Sequence, residues 1–214
     1  MFRDDLTCGA PLTQETITTA LHEFAESLGT AVDARDHHTR KHSEEVAQVA
    51  YGLAVRMGLS TAHADVIHVA AHLHDVGKIG IPDAVLFKPG PLTPAEWAML
   101  KRHPAIGAEI VQPVQALCRC GIREIILHHH ERWDGQGYPH GLHGTEIPLG
   151  ARIIAVADSL SAMMQRRPYR KAMRFCEARE EILRCAGTQF DPNVVAAFER
   201  SASMIGQLME MLSD

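Results

Sequence analysis

Residues 128–139 read HHHERWDGQGYP, three consecutive histidines running into a charged loop that ends Gly137-Tyr138-Pro139. Upstream stands the pair His74-Asp75, and downstream Asp158 sits inside the apolar run RIIAVADSL. Imidazoles and carboxylates in such numbers point to a polynuclear metal centre of the kind that hydrolyses phosphodiesters. Adjacent side chains on a helix point about 100° apart, so two neighbouring imidazoles normally serve different places unless two metal ions lie side by side at a helix end.

The candidate ligands are His42, His74, Asp75, His103, His129, His130 and Asp158. Mixed nitrogen and oxygen donors suit iron, manganese or zinc better than calcium, and there are too many for one tetrahedral zinc. Asp75 is the natural bridge, because each of its oxygens can take one metal while His74 caps one of them. Taken singly, His42 reads as a polar-face histidine and His103 as a turn cap. Asp158 is harder to set aside, since a buried carboxylate is costly unless paired or metal-bound. Lys78 follows His74 by four residues, so a continuing helix places it on the same face. There its ammonium would bind a phosphate oxygen and stabilise developing negative charge; otherwise it is a surface lysine.

The elements that must hold these residues are helical. Behind Thr13 as cap, Ile17, Leu21, Phe24, Leu28 and Val32 recur at helical spacing. A second helix is expected from about Thr39 to Met57, and a third, capped by Ser60, delivers His74-Asp75 near its end. The proline-punctuated stretch GIPDAVLFKPGPLTPAE is expected to be loop without helix. Thr93-Pro94-Ala95-Glu96 combines a capping box with proline at the first helical position, opening a helix that carries Trp97, Leu100 and His103. IREIILHHHER reads as helix until the glycines at 135, 137, 141 and 144, and another helix starts near Pro148 and runs through ARIIAVADSLSAMM. Asp191-Pro192 opens the last, with Val194, Val195, Phe198, Ile205 and Leu208 on its apolar face. No strand pattern survives, so the expected class is all-α.

Composition agrees. The 214 residues suffice for one well-buried domain, and 46% hydrophobic with only 5% aromatic residues suits a helical core. Fourteen histidines are an excess that calls for metal or proton chemistry. A net charge of -5 argues against a nucleic-acid duplex as partner but not against a small anionic substrate, because divalent cations can invert the sign of an acidic site. Five cysteines without CxxC spacing read as reduced thiols. Neither a leader-like segment nor an apolar stretch of about 18 residues is present, so a cytoplasmic protein without membrane contact is expected.

HDVGKIGIPD at 74–83, FKPGPL at 87–92, HHERWDGQGYPHGLHG at 129–144, IPLGARI at 147–153 and RPYR at 167–170 closely resemble the HD-GYP family, a subgroup of the HD-domain metal-dependent phosphohydrolases. The resemblance runs from about Asp36 to Val195. It implies an HD-domain helical bundle with a C-terminal HD-GYP extension over 36–214, preceded by a tail and helix over 1–35, in one compact unit. It also implies hydrolysis of cyclic di-GMP to pGpG or GMP at a centre of two divalent metal ions, with a third as an option. Iron or manganese is expected there, with zinc, nickel or magnesium as alternatives.

By the resemblance, the seven candidates above are the metal ligands, Lys78 and Asp75 are catalytic, and Arg167, Arg170 and Tyr138 contact substrate. The expected reaction is in-line attack on phosphorus by a hydroxide bridging the two metals. Two positions depart from the family. His38 stands where trinuclear members carry glutamate, making it a candidate additional ligand. Ser161 stands where the family usually has aspartate, and it cannot supply that charge. The rival readings are hydrolysis of cyclic GMP-AMP or a mononucleotide, and a weakly active dinucleotide-binding sensor. Diguanylate cyclases of the GGDEF type, contacted through the GYP loop, and a second copy of the chain are candidate partners. His22, His63, His68, His72, His140 and His143 are expected to be surface or satisfied groups, with His37 and His128 left unassigned.

Overall fold

The computed structural model describes residues 14–35, 41–165 and 171–213. Among these residues the chain forms twelve α-helices and two 3-10 helices, with two isolated bridges in place of any strand. The first three helices are α1 (Gln14–Arg35), α2 (His42–Arg56) and α3 (Thr61–Leu73). In α2, Val46, Ala47, Val49, Ala50, Leu53 and Ala54 are fully buried, and the three alanines let neighbouring helices approach closely. Its described start is His42 rather than Thr39, preceded by Lys41 in the left-handed region at φ 61°. The α3 cap is Ser60 as expected, its hydroxyl accepting from the His63 backbone N–H. Thr13, expected to cap α1, lies outside the described residues.

After Asp75 the chain tightens into a 3-10 helix, Val76–Gly80. The following stretch is not wholly loop: Pro82, extended, precedes a one-turn helix α4 (Asp83–Leu86), because proline is compatible with a helix start although not with its interior. The expected capping box is present at α5 (Pro94–Leu100). That helix ends sooner than expected, and His103 opens a separate helix, α6 (His103–Val111), with Pro104 in its first turn. Next come α7 (Gln115–Arg119), which periodicity did not reveal, and α8 (Ile122–His128). α8 stops at His128, so His129 is its C-cap rather than a residue of a longer helix.

A loop containing a second 3-10 helix, Gly144–Glu146, leads to α9 (Leu149–Met164), which packs against α2. The chain closes with α10 (Phe175–Arg184), also unforeseen, then α11 (Pro192–Arg200) and α12 (Ala202–Ser213). The last two were expected as one helix; Ser201, buried at φ -109°, ψ 3°, breaks it. Each half turns its apolar residues inward: Phe198 from α11 and Ile205 from α12 join Leu53, Ile126, Ile154, Leu160 and Ile182 in one core. Burying side chains of this size contributes roughly 1.5–3 kcal/mol each. The core fixes α2, α3, α8 and α9 against one another, and these four helices carry or end next to six of the seven candidate ligands.

Candidate metal centre

Each cluster residue is placed by the end or face of a helix. His42 is the first residue of α2, His74 caps α3, His103 is the first of α6, His129 caps α8, and Asp158 lies in α9. A glycine sets the closest approach. A Cβ on Gly77 would sit 1.9 Å from the His103 carbonyl oxygen and 2.4 Å from Gly107 N, so only glycine lets the His74–Lys78 segment lie against the start of α6. Arg35 at the end of α1 fastens the same segment, donating to the carbonyls of Lys78 at 2.7 Å and Ile81 at 2.9 Å and pairing with Asp83 at 2.6 Å.

Asp75 stands in the middle, its two oxygens facing opposite ways. Oδ2 lies 3.4 Å from His74 Nε2 and 3.8 Å from His42 Nε2, while Oδ1 lies 3.3 Å from His103 Nε2. His42 Nε2 also meets Asp158 Oδ1 at 3.2 Å, and His103 Nε2 meets His129 Nε2 at 3.3 Å. The His129 and His130 rings lie 4.1 Å apart, centroid to centroid. Two groups result, His42–His74–Asp75 and His103–His129–His130, each with donor atoms within 4.8 Å of one another.

The hydrogen bonds behind these rings decide which nitrogen faces inward. Nδ1 of His74, His103 and His129 lies 2.6, 2.8 and 2.7 Å from the carbonyl oxygens of Ala71, Leu100 and Ile126. A carbonyl only accepts, so Nδ1 carries the proton and the Nε2 lone pair points into the centre. His74 Nε2 is buried without a hydrogen bond. An orphaned buried nitrogen beside a carboxylate costs free energy unless something else satisfies it, and a transition-metal cation satisfies nitrogen, carboxylate and geometry together. The donors therefore fit a metal centre.

Electrostatics agree for Asp75 and for the His129–His130 pair. Burial works against ionising Asp75, yet Lys78, with Nζ 2.6 Å from Oδ2, and His74 together hold its carboxyl well below the usual range. Burial, reinforced by His130, pushes the His129 imidazole far down, and burial with His103 pushes His130 down to about 3, so both rings are neutral as ligands must be.

Ser161 is buried and backed by a carboxylate that the sequence did not single out. Its hydroxyl donates to Glu45 Oε2 at 2.5 Å and receives His42 Nδ1 at 2.8 Å, while Gln165 donates to the same Glu45 oxygen at 3.1 Å. Glu131, which follows His130 directly and has no role assigned from the sequence, shapes the GYP loop. Its carboxylate accepts the backbone N–H groups of His140, Gly141 and Leu142 at 2.7, 3.1 and 3.2 Å. Gly137 has no room for a Cβ, which would fall 2.3 Å from Arg132 N. The loop thereby brings Tyr138 against His130, ring centroids 4.9 Å apart, with Lys101 Nζ 5.9 Å from the Tyr138 ring. Burial pushes the Tyr138 phenol well above its ordinary range, so it stays protonated.

The seven candidate ligands, Lys78 and Tyr138 thus share one site, whereas His38, Arg167 and Arg170 lie outside the described residues. His128 stands behind the centre, its Nε2 3.0 Å from His140 Nδ1. His72 departs from expectation: it is 3% exposed, and neither ring nitrogen makes a hydrogen bond. Among the described residues no helix is long and apolar enough to cross a membrane, and four cysteines are free thiols.

Residues 26–194 match the model of the HD domain. The chain is 45% identical over 179 residues to a cyclic di-GMP phosphodiesterase of Thermotoga maritima, covering 83% of this chain and 48% of that one. It is 40% identical over 173 residues to a 3′3′-cGAMP-specific phosphodiesterase of Vibrio cholerae, covering 81% and 33%. An HDG"Y"P protein of known structure from Bdellovibrio bacteriovorus superposes with a TM-score of 0.65 at 18% identity, over 92% of this chain and 63% of its own. The chain belongs to the HD domain family. It spans about half the length of the first relative and a third of the second.

Proposed function

We propose that the chain is a metal-dependent phosphodiesterase that hydrolyses cyclic di-GMP to pGpG, GMP or both. The observation that carries this reading is Asp75, whose oxygens face two separate histidine groups at 3.3–3.8 Å. His42, His74, Asp75 and Asp158 would hold one divalent ion, and His103, His129, His130 and the other Asp75 oxygen a second, iron or manganese by donor type. Such ions supply Lewis acidity and lower the pKa of water at the site.

The chain's own groups do the rest. Lys78, anchored on Asp75, presents an ammonium to a non-bridging phosphate oxygen as charge builds there. The carbonyl-tethered imidazoles keep the centre rigid, so little reorganisation accompanies reaction. Tyr138, as a neutral phenol, donates to the substrate at the mouth, and Arg167 and Arg170 offer planar forks to its other phosphate.

Cyclic GMP-AMP is the second reading, favoured by the 40% identity to the Vibrio enzyme specific for it. Turnover of the two dinucleotides should be measured side by side after anaerobic reconstitution with iron and with manganese, with product analysis. Faster release of pGpG or GMP from cyclic di-GMP supports the proposal. Preference for cyclic GMP-AMP moves the substrate assignment, and tight binding without product under every metal overturns the enzymatic reading.

A further inference from the structure

Residues 72 and 74 stand about 200° apart around a helix axis, as do 42 and 44. While His42 and His74 face the centre described above, His72 and Glu44 therefore face the other way, toward α1. There His72 Nε2 lies 3.6 Å from Glu44 Oε2 and 3.9 Å from Glu26 Oε1, one residue from each of three helices. Both separations exceed hydrogen-bond reach, and neither nitrogen of the buried His72 ring has a hydrogen-bond partner. Around a tetrahedral ion with bonds near 2.0–2.2 Å, neighbouring donors sit ~3.4 Å apart. The gaps observed are of that size.

We propose that His72, Glu26 and Glu44 form a second metal site, separate from the catalytic centre, that takes a divalent transition-metal ion with zinc as the best match. Three donor atoms within 4.8 Å meet the need for protein ligands, and one neutral imidazole with two carboxylates balances a charge of two. Both glutamates line a cleft of about 710 Å³, together with Asp33, Lys41 and Ser43. Glu44 is already oriented: Gln48 donates to its Oε1 at 2.9 Å, leaving Oε2 toward His72. Among the described residues His72 is the only ion-pair contact of either glutamate. An ion there would clamp α1 onto the α2–α3 pair whose opposite faces carry His42 and His74. The comparable His128–Glu131–His140 group is less suited, because Glu131 already accepts three backbone N–H groups and the two rings meet each other.

The test uses the full chain with its catalytic metals loaded, soaked with zinc, and crystallographic anomalous scattering at the zinc edge. A zinc peak between His72 Nε2 and the two glutamates is expected. Because Glu26 and Glu44 are partly exposed, the E26Q/E44Q double variant should fold; it should bind one zinc fewer per chain, lose the zinc-dependent rise in Tm, and keep its turnover. Equal zinc content in the two proteins, or zinc confined to the His42–Asp158 centre, would overturn the proposal. Since the count is a difference, it is read whether or not the catalytic centre accepts zinc.

Discussion

Ser161 and Glu45 are hydrogen-bonded at 2.5 Å, across 116 residues of sequence, with His42 Nδ1 on the other side of the serine oxygen. Burial pushes the Glu45 carboxyl up while its Ser161 and Gln165 hydrogen bonds favour the charged form; when it is ionised, the single hydroxyl proton goes to the carboxylate, and the oxygen is left to accept the His42 N–H. The negative charge that an aspartate would carry at 161 thus sits one bond further back, and it still fixes His42 with Nε2 inward. Ser161→Ala strips this support and leaves Glu45 buried with one partner fewer. Metal affinity or turnover should fall about 10- to 100-fold, as for other groups that orient a ligand, whereas Glu45→Gln, which retains an acceptor oxygen, should lose much less. Metal content and turnover of both variants check this; unchanged values in Ser161→Ala would contradict it.

Lys78 separates charge stabilisation from metal binding. Its removal should lower kcat by on the order of 10²–10³-fold, the range for losing one preorganised donor, while metal content stays near that of the parent. If Lys78→Ala instead empties the centre, the lysine acts only through its 2.6 Å contact with Asp75.

Gly137→Ala tests the loop. The added Cβ would fall 2.3 Å from Arg132 N and 2.5 Å from Glu131 Cα, both backbone atoms, so the loop must move and take Tyr138 with it. A displacement near 1 Å costs up to ~10²-fold in rate. We expect a raised KM and lowered kcat with metal retained, measured by steady-state kinetics and metal analysis.

The buried imidazoles also set how stability depends on pH in the metal-stripped protein. His103, His129 and His130 are pushed down chiefly by burial, His130 to about 3. In the unfolded chain they regain a pKa of about 6.5, so below that pH unfolding takes up protons and stability falls as pH drops. His74 acts in the opposite sense: burial resists its charge, but Asp75 lifts it to about 9. Its contribution is complete below about 6.5 and is lost as pH rises through about 9. Denaturant titrations across pH should show the acid limb flattened in His130→Asn. A curve whose stability rises on acidification below pH 6.5 would contradict the neutral imidazoles.

Much of this site is legible in the sequence, for local reasons. His74-Asp75 at the end of a Ser60-capped helix follows from a cap and periodicity, whereas the end of α8 at His128 does not, because IREIILHHHER reads as unbroken helix. Asp158 drew attention because a carboxylate in an apolar run needs a partner. Other features depend on tertiary placement. Glu45 lies three residues after His42, and nothing in that spacing tells that Ser161 will meet it. The placement of His103 at a helix start depended on α5 ending early, and the break at Ser201 has no glycine or proline to mark it. The buried, unsatisfied His72 looked like any histidine on a helix until α1 and α2 packed against it.

The role proposed for Asp75 is to join the two histidine groups into one centre. Asp75→Ala, reconstituted anaerobically beside the parent chain, should be assayed for bound iron or manganese and for cyclic di-GMP hydrolysis, with circular dichroism reporting the fold. Helical content should be retained, most metal lost and turnover abolished. Undiminished hydrolysis with full metal content would contradict it.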